Sequence, residues 1–189
     1  MTRKRVGSYA GYFNGTNNYI TTTNSPTLYP QNGSLSVAGW VYQTGYGGSE
    51  TFFPVGNSHA YQAGTGGWSV DSAYNASGIY VSFNDQTHLV SQAALNFNSG
   101  VQPPQMLNQW MFVAVIFDRS AGLAYAYVNG VQQSATVNIS SVTGDVVSSE
   151  NVVLSDLAGW YMQSSMDDVR IYNRALSAAE VMALYNAEK

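Results

Sequence analysis

A strand, a turn and a capped helix are encoded in succession near the end of the chain, between residues 166 and 185. Ser177 and Glu180 have the S-x-x-E spacing of a capping box, in which each side chain satisfies a free amide at the start of a helix. Leu176 and Val181 stand on either side of this cap, at the positions of a hydrophobic staple. Apolar residues then recur at helical spacing, so one face of a short helix is predicted to lie against a sheet. Such a segment closes a domain rather than linking two.

Strand patterns fill most of the remaining chain. Trp110–Phe117 is apolar at nearly every position, which predicts a central strand that is covered on both faces. Leu123–Val128 has the pattern of the next strand, and Asn129-Gly130 after it favours a type I′ hairpin turn into Val131–Ser134. Further strands are predicted at Thr51–Val55, Trp68–Val70, Ile79–Phe83 and Leu89–Asn96. Short strands separated by turn signals are typical of an all-β domain.

Four passages of the chain, in the expected order, resemble one protein family. They are Phe13–Ile20, Leu35–Val41, Trp110–Val115 with Tyr127–Gly130, and Asp167–Ser177. These passages are similar to the opening loop, the inner strands and the closing strand of LamG-type jellyroll (laminin G-like) domains, which belong to the concanavalin A-like lectin/glucanase superfamily. The resemblance implies an all-β fold, an antiparallel concanavalin A-like jelly-roll sandwich with one short C-terminal helix.

The resemblance also implies a domain organisation and a core. We expect an N-terminal arm over residues 1–8 and one LamG-like β-sandwich domain over residues 9–189. The residues expected to be largely buried are Trp40, Trp110, Phe112, Val115 and Tyr127. The family includes lectins, glycan-binding modules, adhesion domains and virion proteins, so the fold alone does not choose a function.

Charged side chains are scarce, at 10% of the residues against the ~25% usual for soluble domains. The surface is therefore expected to consist largely of uncharged polar residues and tyrosine, a coat suited to extracellular or particle-bound proteins that make many protein contacts. The net charge of -4 disfavours nucleic-acid binding, which needs a clustered basic face. There is no cysteine, so disulfides and thiolate metal sites are excluded.

The sequence also bears on location. No apolar run approaches the ~20 residues that a membrane-spanning helix requires. Met1–Arg5 leads into polar and aromatic residues without the apolar segment of a signal peptide. We therefore expect a location on a virion or an extracellular surface, without a transmembrane segment, a signal peptide or a membrane partner.

The carboxylates offer no obvious catalytic pair. Retaining glycoside hydrolysis needs two carboxyl groups about 5–5.5 Å apart. Asp167 and Asp168 are adjacent, so on a strand they point to opposite faces. Glu150 and Asp156 are too far apart along the chain to suggest a pair, and no G-x-S-x-G nucleophile motif occurs. We expect that the protein is not an enzyme and has no catalytic residues.

The family resemblance implies a structural calcium, held by acids of the opening loop and of the closing strand. Calcium takes about six to eight oxygen ligands and gains most from charged ones. Here Asn14 replaces an opening acid, although Asp168 is present in the closing strand. A calcium site at Asn14 and Asp168 is therefore expected to be weakened or absent, and no other cofactor is expected. The alternative is that Asp168 accepts backbone hydrogen bonds or pairs with Arg170 or Arg174.

Aromatic side chains beside predicted loops are the candidates for ligand binding, since loops carry a large share of binding residues. They are Trp68, Tyr74, Trp160 and Tyr161. These rings would form a platform on which sugars stack. Sandwich cores and strand ends also use many tyrosines and tryptophans, so packing is the alternative for Trp68 and for the Trp160-Tyr161 pair.

Positive charge is concentrated at the start of the chain. Arg3, Lys4 and Arg5 are three of the seven lysines and arginines. Such a run is either a solvated tail or an arm that docks on an acidic partner.

Together these observations favour a non-enzymatic surface interaction protein. The leading hypothesis is a virion structural protein, for instance a phage capsid decoration (cement) protein or a tail adhesion module. Its partners would be other subunits of a particle, in a homo-oligomer or with capsid or tail proteins. The alternative is a free-standing carbohydrate-binding, lectin-like module of a secreted or cell-surface protein, with a cell-surface glycan as its ligand. A glycoside hydrolase ranks third.

Overall fold

The computed structural model describes residues 5–44, 53–72, 78–96 and 107–188. They form two antiparallel six-stranded sheets that pack into a sandwich, followed by a short helix. The first sheet contains, in spatial order, β1 (Gly11–Asn14), β14 (Gln163–Tyr172), β3 (Leu35–Gln43), β8 (Trp110–Asp118), β9 (Leu123–Val128) and β10 (Val131–Asn138). The second contains β2 (Ile20–Thr21), β11 (Val152–Leu154), β4 (Val55–Asn57), β5 (Gly67–Ser72), β6 (Gly78–Asn84) and β7 (Leu89–Asn96). The predicted antiparallel sandwich is confirmed.

The first sheet is buried on both faces along its central strands. In β8, Val113 and Val115 belong to the core between the sheets, whereas Phe112 and Ile116 belong to a second apolar cluster on the opposite face. Side chains alternate between the faces of a strand, so a strand that is apolar at every position must be covered twice. The predicted central strand is therefore confirmed.

The second apolar cluster is covered by the helix α1 (Ala178–Glu188). The Ser177 amide donates to Glu180 Oε2 at 2.8 Å, and the Glu180 amide donates to Ser177 Oγ at 3.3 Å. This reciprocal pair is the predicted capping box. Leu176 and Val181 are both buried in the cluster, as the predicted staple requires. In the described part of the chain no helix is both long and apolar enough to cross a bilayer.

The predicted core is confirmed at four of its five positions, because Trp40, Phe112, Val115 and Tyr127 are buried. Trp110 remains partly exposed. It is the first residue of β8, at the end of the sheet, where its ring meets Tyr42 edge-on with centroids 5.5 Å apart. A strand terminus has covered neighbours on fewer sides than a strand centre.

Turn chemistry accounts for two further details. Asn129 and Gly130 have φ values of 50° and 80°, the signs that a type I′ turn requires, so this predicted hairpin is confirmed. The strand predicted at Thr51–Val55 begins later, as β4. Pro54 precedes β4 and has no amide to donate to a ladder. Residues 51 and 52 lie outside the described ranges.

The N-terminal segment is attached to the domain earlier than expected. The amides of Arg5 and Val6 both donate to Asp167 Oδ2 at 2.8 Å. The Arg5 guanidinium lies 4.3 Å from the centroid of the Trp40 ring, and Val6 packs on the cluster beneath α1. Residues 5 and 6 are therefore packed on the folded unit, although they belong to the range 1–8 that is expected to form an arm.

Candidate binding surface

A small hairpin, β12 (Asp156–Leu157) and β13 (Trp160–Tyr161), interrupts the path from β11 to β14. Its turn residues Ala158 and Gly159 have φ values of 58° and 86°, as in a type I′ turn. Asp156 Oδ1 accepts a hydrogen bond from the Gly159 amide at 2.8 Å. The strand register places Tyr161 directly opposite Asp156. The turn therefore fixes a carboxylate beside a phenol ring.

Tyr161 and Asp156 are electrostatically linked to each other and to Tyr19. The negative charge of Asp156 is the main cause that raises the pKa of Tyr161, with smaller contributions from burial and from Tyr19. Tyr19 is 51% exposed, and Ile20, in the edge strand β2, is 48% exposed. Exposed apolar area of this kind, rimmed by polar groups, is typical of an interaction site.

The loop after β4 adjoins the hairpin. Ser58 Oγ donates to the main-chain oxygen of Asp156 at 3.3 Å. The next residue, His59, lies beside Tyr61, with ring centroids 6.4 Å apart, and the Tyr61 side chain is 42% exposed. We call this combined region the hairpin surface. It consists of Tyr19, Ile20, His59, Tyr61, Asp156 and Tyr161.

Glu150 holds His59 in a fixed orientation. Glu150 Oε2 accepts the His59 main-chain amide at 3.0 Å, and Glu150 Oε1 lies 2.5 Å from His59 Nδ1. The imidazole is 44% exposed, and within the described residues no hydrogen bond engages its Nε2. A carboxylate on one ring nitrogen fixes the tautomer and the ring orientation, so Nε2 remains available for a further hydrogen bond.

Hydrogen bonds from buried and half-buried polar side chains hold the main chain of Glu150. Its main-chain oxygen accepts hydrogen bonds from Tyr29 Oη, from Asn24 Nδ2 at 2.9 Å and from Asn57 Nδ2 at 3.3 Å. Burial is the main cause that raises the pKa of Tyr29, so this hydroxyl stays protonated and donates. Satisfied buried networks make a site rigid.

A second histidine–carboxylate pair, Asp85 and His88, lies in the loop between β6 and β7, with Nδ1 3.1 Å from Asp85 Oδ2. Burial by itself would raise the pKa of Asp85. Hydrogen bonds from the amides of His88, Gly144 and Thr87 and from the His88 ring outweigh burial and lower it to about 2. Because Gly144 belongs to another loop, this carboxylate joins two loops. Its side chain is 1% exposed, which marks an anchor rather than a ligand contact.

The four predicted stacking residues are not brought together. Trp68 is fully buried in the core between the sheets, and its Nε1 donates to the Leu28 oxygen at 2.9 Å, so the packing alternative describes this residue. Tyr74 lies outside the described residues. The main chain of Trp160 is in β13, but its side chain is outside the description. Tyr161 is on the hairpin surface.

The predicted docking arm does not point away from the domain where it is described. Arg3 and Lys4 lie outside the described residues. Arg5 packs on Trp40 of the same chain, so its guanidinium is engaged within the domain. The partner-docking role of Arg3, Lys4 and Arg5 stays a prediction.

The two residues of the predicted calcium site are also far apart. Asn14 pairs with Gln163, whereas Asp168 is five residues further along β14, about 16 Å at the usual rise per strand residue. Asn14 Oδ1 instead accepts the amides of Thr16 and Asn17, which organises its own turn. Asn14 and Asp168 therefore do not form one site. Among the described residues, no three acidic, histidine or cysteine side chains are grouped as metal ligands.

Asp168 pairs with Arg170, as the alternative proposed, with Arg170 Nε donating to Asp168 Oδ1 at 2.9 Å. Glu188 at the end of α1 joins this pair through Arg170 and also accepts Trp40 Nε1 at 2.9 Å. Burial is the main cause that raises the pKa of Glu188, and a hydrogen bond with Asp168 raises it further. These carboxylates are occupied in fixing the helix to the sheet.

Comparisons with known proteins agree with this fold. Residues 14–182 match the Laminin_G_3 family, described as the concanavalin A-like lectin/glucanases superfamily. The match covers most of the chain, so the protein belongs to this family. No curated protein matches the sequence.

Solved structures with the same fold share little sequence with the chain. A native heptameric SAP-like pentraxin from Limulus polyphemus is 13% identical, with a TM-score of 0.65, over 92% of this chain and 80% of the pentraxin. The botulinum neurotoxin serotype D binding domain is 16% identical, with a TM-score of 0.66, over 97% of this chain and 45% of that domain. The serotype G binding domain is 18% identical, with a TM-score of 0.60, over 96% of this chain and 47% of that domain. The chain thus spans less than half of each toxin binding domain, and these likenesses concern the fold.

Proposed function

We propose that this concanavalin A-like domain is a non-enzymatic recognition module that binds carbohydrate through the hairpin surface. The observation that carries the proposal is the hairpin, which places Tyr161 opposite Asp156 and near Tyr19 and which adjoins, through Ser58, the loop of His59 and Tyr61. Tyrosine presents an apolar ring and a hydrogen-bonding tip at low conformational cost. A sugar has the complementary pattern, because its C–H face packs on a ring while its hydroxyls take hydrogen bonds.

The engagement of the carboxylates supports a non-catalytic role. Glycoside hydrolysis needs one free carboxylate and one carboxylic acid on either side of the scissile bond. In the described residues, Asp85 and Asp167 accept main-chain amides, and Asp168 and Glu188 share Arg170. Glu150 is bonded to His59, and no hydroxyl of the described residues engages His59 Nε2 as a nucleophile would. A pair with the required freedom is not found among these groups.

The test compares Tyr161→Ala with Met182→Ala on a glycan array and then by titration calorimetry. Met182 is a matched control, since it is an exposed apolar side chain on α1, outside the hairpin surface. Tyr161→Ala should lower affinity for the bound glycan by roughly two- to twelvefold, because an aromatic contact is worth about 0.5–1.5 kcal/mol. Met182→Ala should bind like the parent protein, and no variant should release reducing sugar. Equal binding by Tyr161→Ala, or turnover by the parent protein, would contradict the proposal.

The second candidate is a virion structural protein, and a separate surface favours it. Tyr12, in β1, is 53% exposed, and Tyr9, two residues before β1, is 84% exposed; within the described residues β1 pairs only with β14. Edge strands and exposed aromatics are sites of association, and the scarcity of charge lowers the cost of burying such a surface against other subunits.

Light scattering would test this candidate. A stable oligomer that dissociates when Tyr9 and Tyr12 are both changed to alanine favours it, and a monomer at high concentration excludes self-assembly.

A further inference from the structure

We propose that the hairpin surface selects uncharged glycans over anionic ones, and that Asp156 is the specificity-determining residue. This inference rests on the proposed function, because it concerns the ligand class of the same surface. It follows from the distribution of charge around the three tyrosines.

Each described arginine is engaged away from the hairpin surface. The arginines and their partners are Arg5 on the Trp40 ring, Arg119 on the Gly144 oxygen, Arg170 with Asp168 and Glu188, and Arg174 with Glu180. Recognition of a sulfate, phosphate or carboxylate relies on arginine or lysine, which donate charge-assisted hydrogen bonds. The described part of this surface therefore has no arginine or lysine to receive an anionic sugar, and its histidine, His59, is already paired with Glu150.

Carboxylates occupy the positions that cations would take in an anion-binding site. Asp156 lies opposite Tyr161 in the hairpin, and Glu150 lies behind His59. The raised pKa of Tyr161 shows that the charge of Asp156 acts on this part of the surface. An anionic substituent beside Asp156 would meet like charge, which disfavours it.

The same groups suit sugar hydroxyls. Asp156 accepts the Gly159 amide and a hydrogen bond from the Tyr161 side chain, and an ionised carboxylate has about four acceptor positions, so it retains capacity for a further hydroxyl donor. His59 Nε2 offers one more polar contact, and the tyrosine hydroxyls both donate and accept. An acceptor-rich surface with aromatic rings therefore matches a neutral pyranose chain.

The hairpin geometry makes the charge of Asp156 a fixed feature of the surface. Its carboxylate is held by the Gly159 amide, and its main chain is held by Ser58. A charge that does not move away discriminates more strongly between ligands than one on a flexible side chain. Salt weakens the discrimination, because interactions between exposed charges are screened.

The experiment uses matched probes that differ in charge. The pairs are lactose with 3′-sialyllactose, dextran with dextran sulfate, and galactan with polygalacturonate, measured at low salt on the full chain. The variants are Asp156→Asn, which removes the charge and keeps the shape, and Asp156→Lys, which reverses it. Asp145→Asn is the control, since Asp145 is exposed in another loop and its change alters net charge equally.

The parent protein should bind the neutral member of a recognised pair roughly tenfold tighter than the anionic member. Asp156→Asn should reduce that ratio severalfold, Asp156→Lys should favour the anionic member, and Asp145→Asn should match the parent protein. A preference of the parent for the anionic member overturns the inference, as does an equal shift by Asp156→Asn and Asp145→Asn.

The Tyr161→Ala variant separates this inference from the proposed function. If Tyr161→Ala loses binding but anionic and neutral probes bind the parent equally, charge selection is wrong and the binding surface stands. If Tyr161→Ala binds every probe like the parent, or if no probe binds at all, the proposed function and the inference both fail. Tight binding of an oligolysine peptide in place of neutral sugars would also overturn both.

Discussion

The helix-covered face of the first sheet and the hairpin surface both contain aromatic side chains. The first region buries them, and the second leaves them partly exposed. Trp40 is 1% exposed and Tyr127 is 3% exposed beneath α1, whereas Tyr19 and Tyr61 are about half exposed. The difference lies in the element that lies next to each group of side chains in the fold. A capped helix folds back over the first group, while the second group lies at or beside a two-residue hairpin turn.

The contacts of Trp40 indicate which region stabilises the fold. Trp40 contacts Phe112 at 5.4 Å and Tyr185 at 5.8 Å between ring centroids, stacks under Arg5 and donates to Glu188. It therefore joins the sheet, the helix and the N-terminal segment. Tyr19 and Tyr61 are instead about half exposed, so the proposed function assigns them to binding rather than to folding.

The largest expected effect comes from Trp40→Ala. Removal of a buried aromatic side chain costs about 3–5 kcal/mol in the free energy of unfolding, and this one also removes one of the two donors to Glu188, leaving Arg170. Urea denaturation followed by tryptophan fluorescence or circular dichroism measures the change. Met182→Ala, on the exposed side of the same helix, should stay within about 0.5 kcal/mol. A similar effect of both changes would mean that the helix-covered face is not the stabilising region.

The Asp85 anchor gives the next largest effect, and it depends on pH. The pKa of Asp85 falls from 3.8 to about 2 on folding, so its stabilisation is present above pH 4 and is lost as the pH falls towards 2. The shift corresponds to about 2 kcal/mol. Asp85→Asn should lose about this amount at pH 7 and show a shallower fall in urea midpoint between pH 4 and pH 2. An unchanged pH profile in Asp85→Asn would contradict the role of this carboxylate.

Ser177→Ala should have a smaller effect, about 1 kcal/mol, which is the usual cost of losing an N-cap. The Glu180 amide would lose its acceptor, and Glu180 would keep its contacts with the residue 177 amide and with Arg174. Ser177→Asp, which retains an acceptor at the cap, should restore most of the stability. A denaturation midpoint that does not move in Ser177→Ala would show that the helix start is capped in another way.

The helix-covered face could be predicted from the sequence because its signals are local. The capping box spans four residues, and the continuous apolar run of β8 indicates burial on both faces. The Asn129-Gly130 turn likewise needs only two residues to be recognised. Such patterns depend on backbone geometry that neighbouring residues dictate.

The hairpin surface could be predicted only in part, because it is assembled by topology. His59 and Glu150 are 91 positions apart, and no local pattern pairs them. Tyr161 was a candidate from its place beside a loop, and the glycine at 159 was an additional signal for the turn. Trp68 and Val70 alternate with polar residues along their strand, and this pattern indicates that the Trp68 ring faces inward. The period-two signal outweighs the nearness of Trp68 to a loop.

The smallest expected change in the free energy of unfolding is that of Tyr61→Ala. This variant also separates a binding role of an aromatic side chain most clearly from a structural one. Tyr61 is 42% exposed and meets the described chain through the His59 ring and the Gln62 side chain, so its truncation should change the free energy of unfolding by at most about 0.5 kcal/mol. The same variant should nevertheless weaken binding of a recognised neutral glycan severalfold, because it removes one wall of the hairpin surface. Calorimetric titration and urea denaturation of one preparation give both numbers. A loss of stability as large as that of Ser177→Ala would place Tyr61 among the structural aromatics instead, and the contrast between the two regions would then end at the hairpin itself.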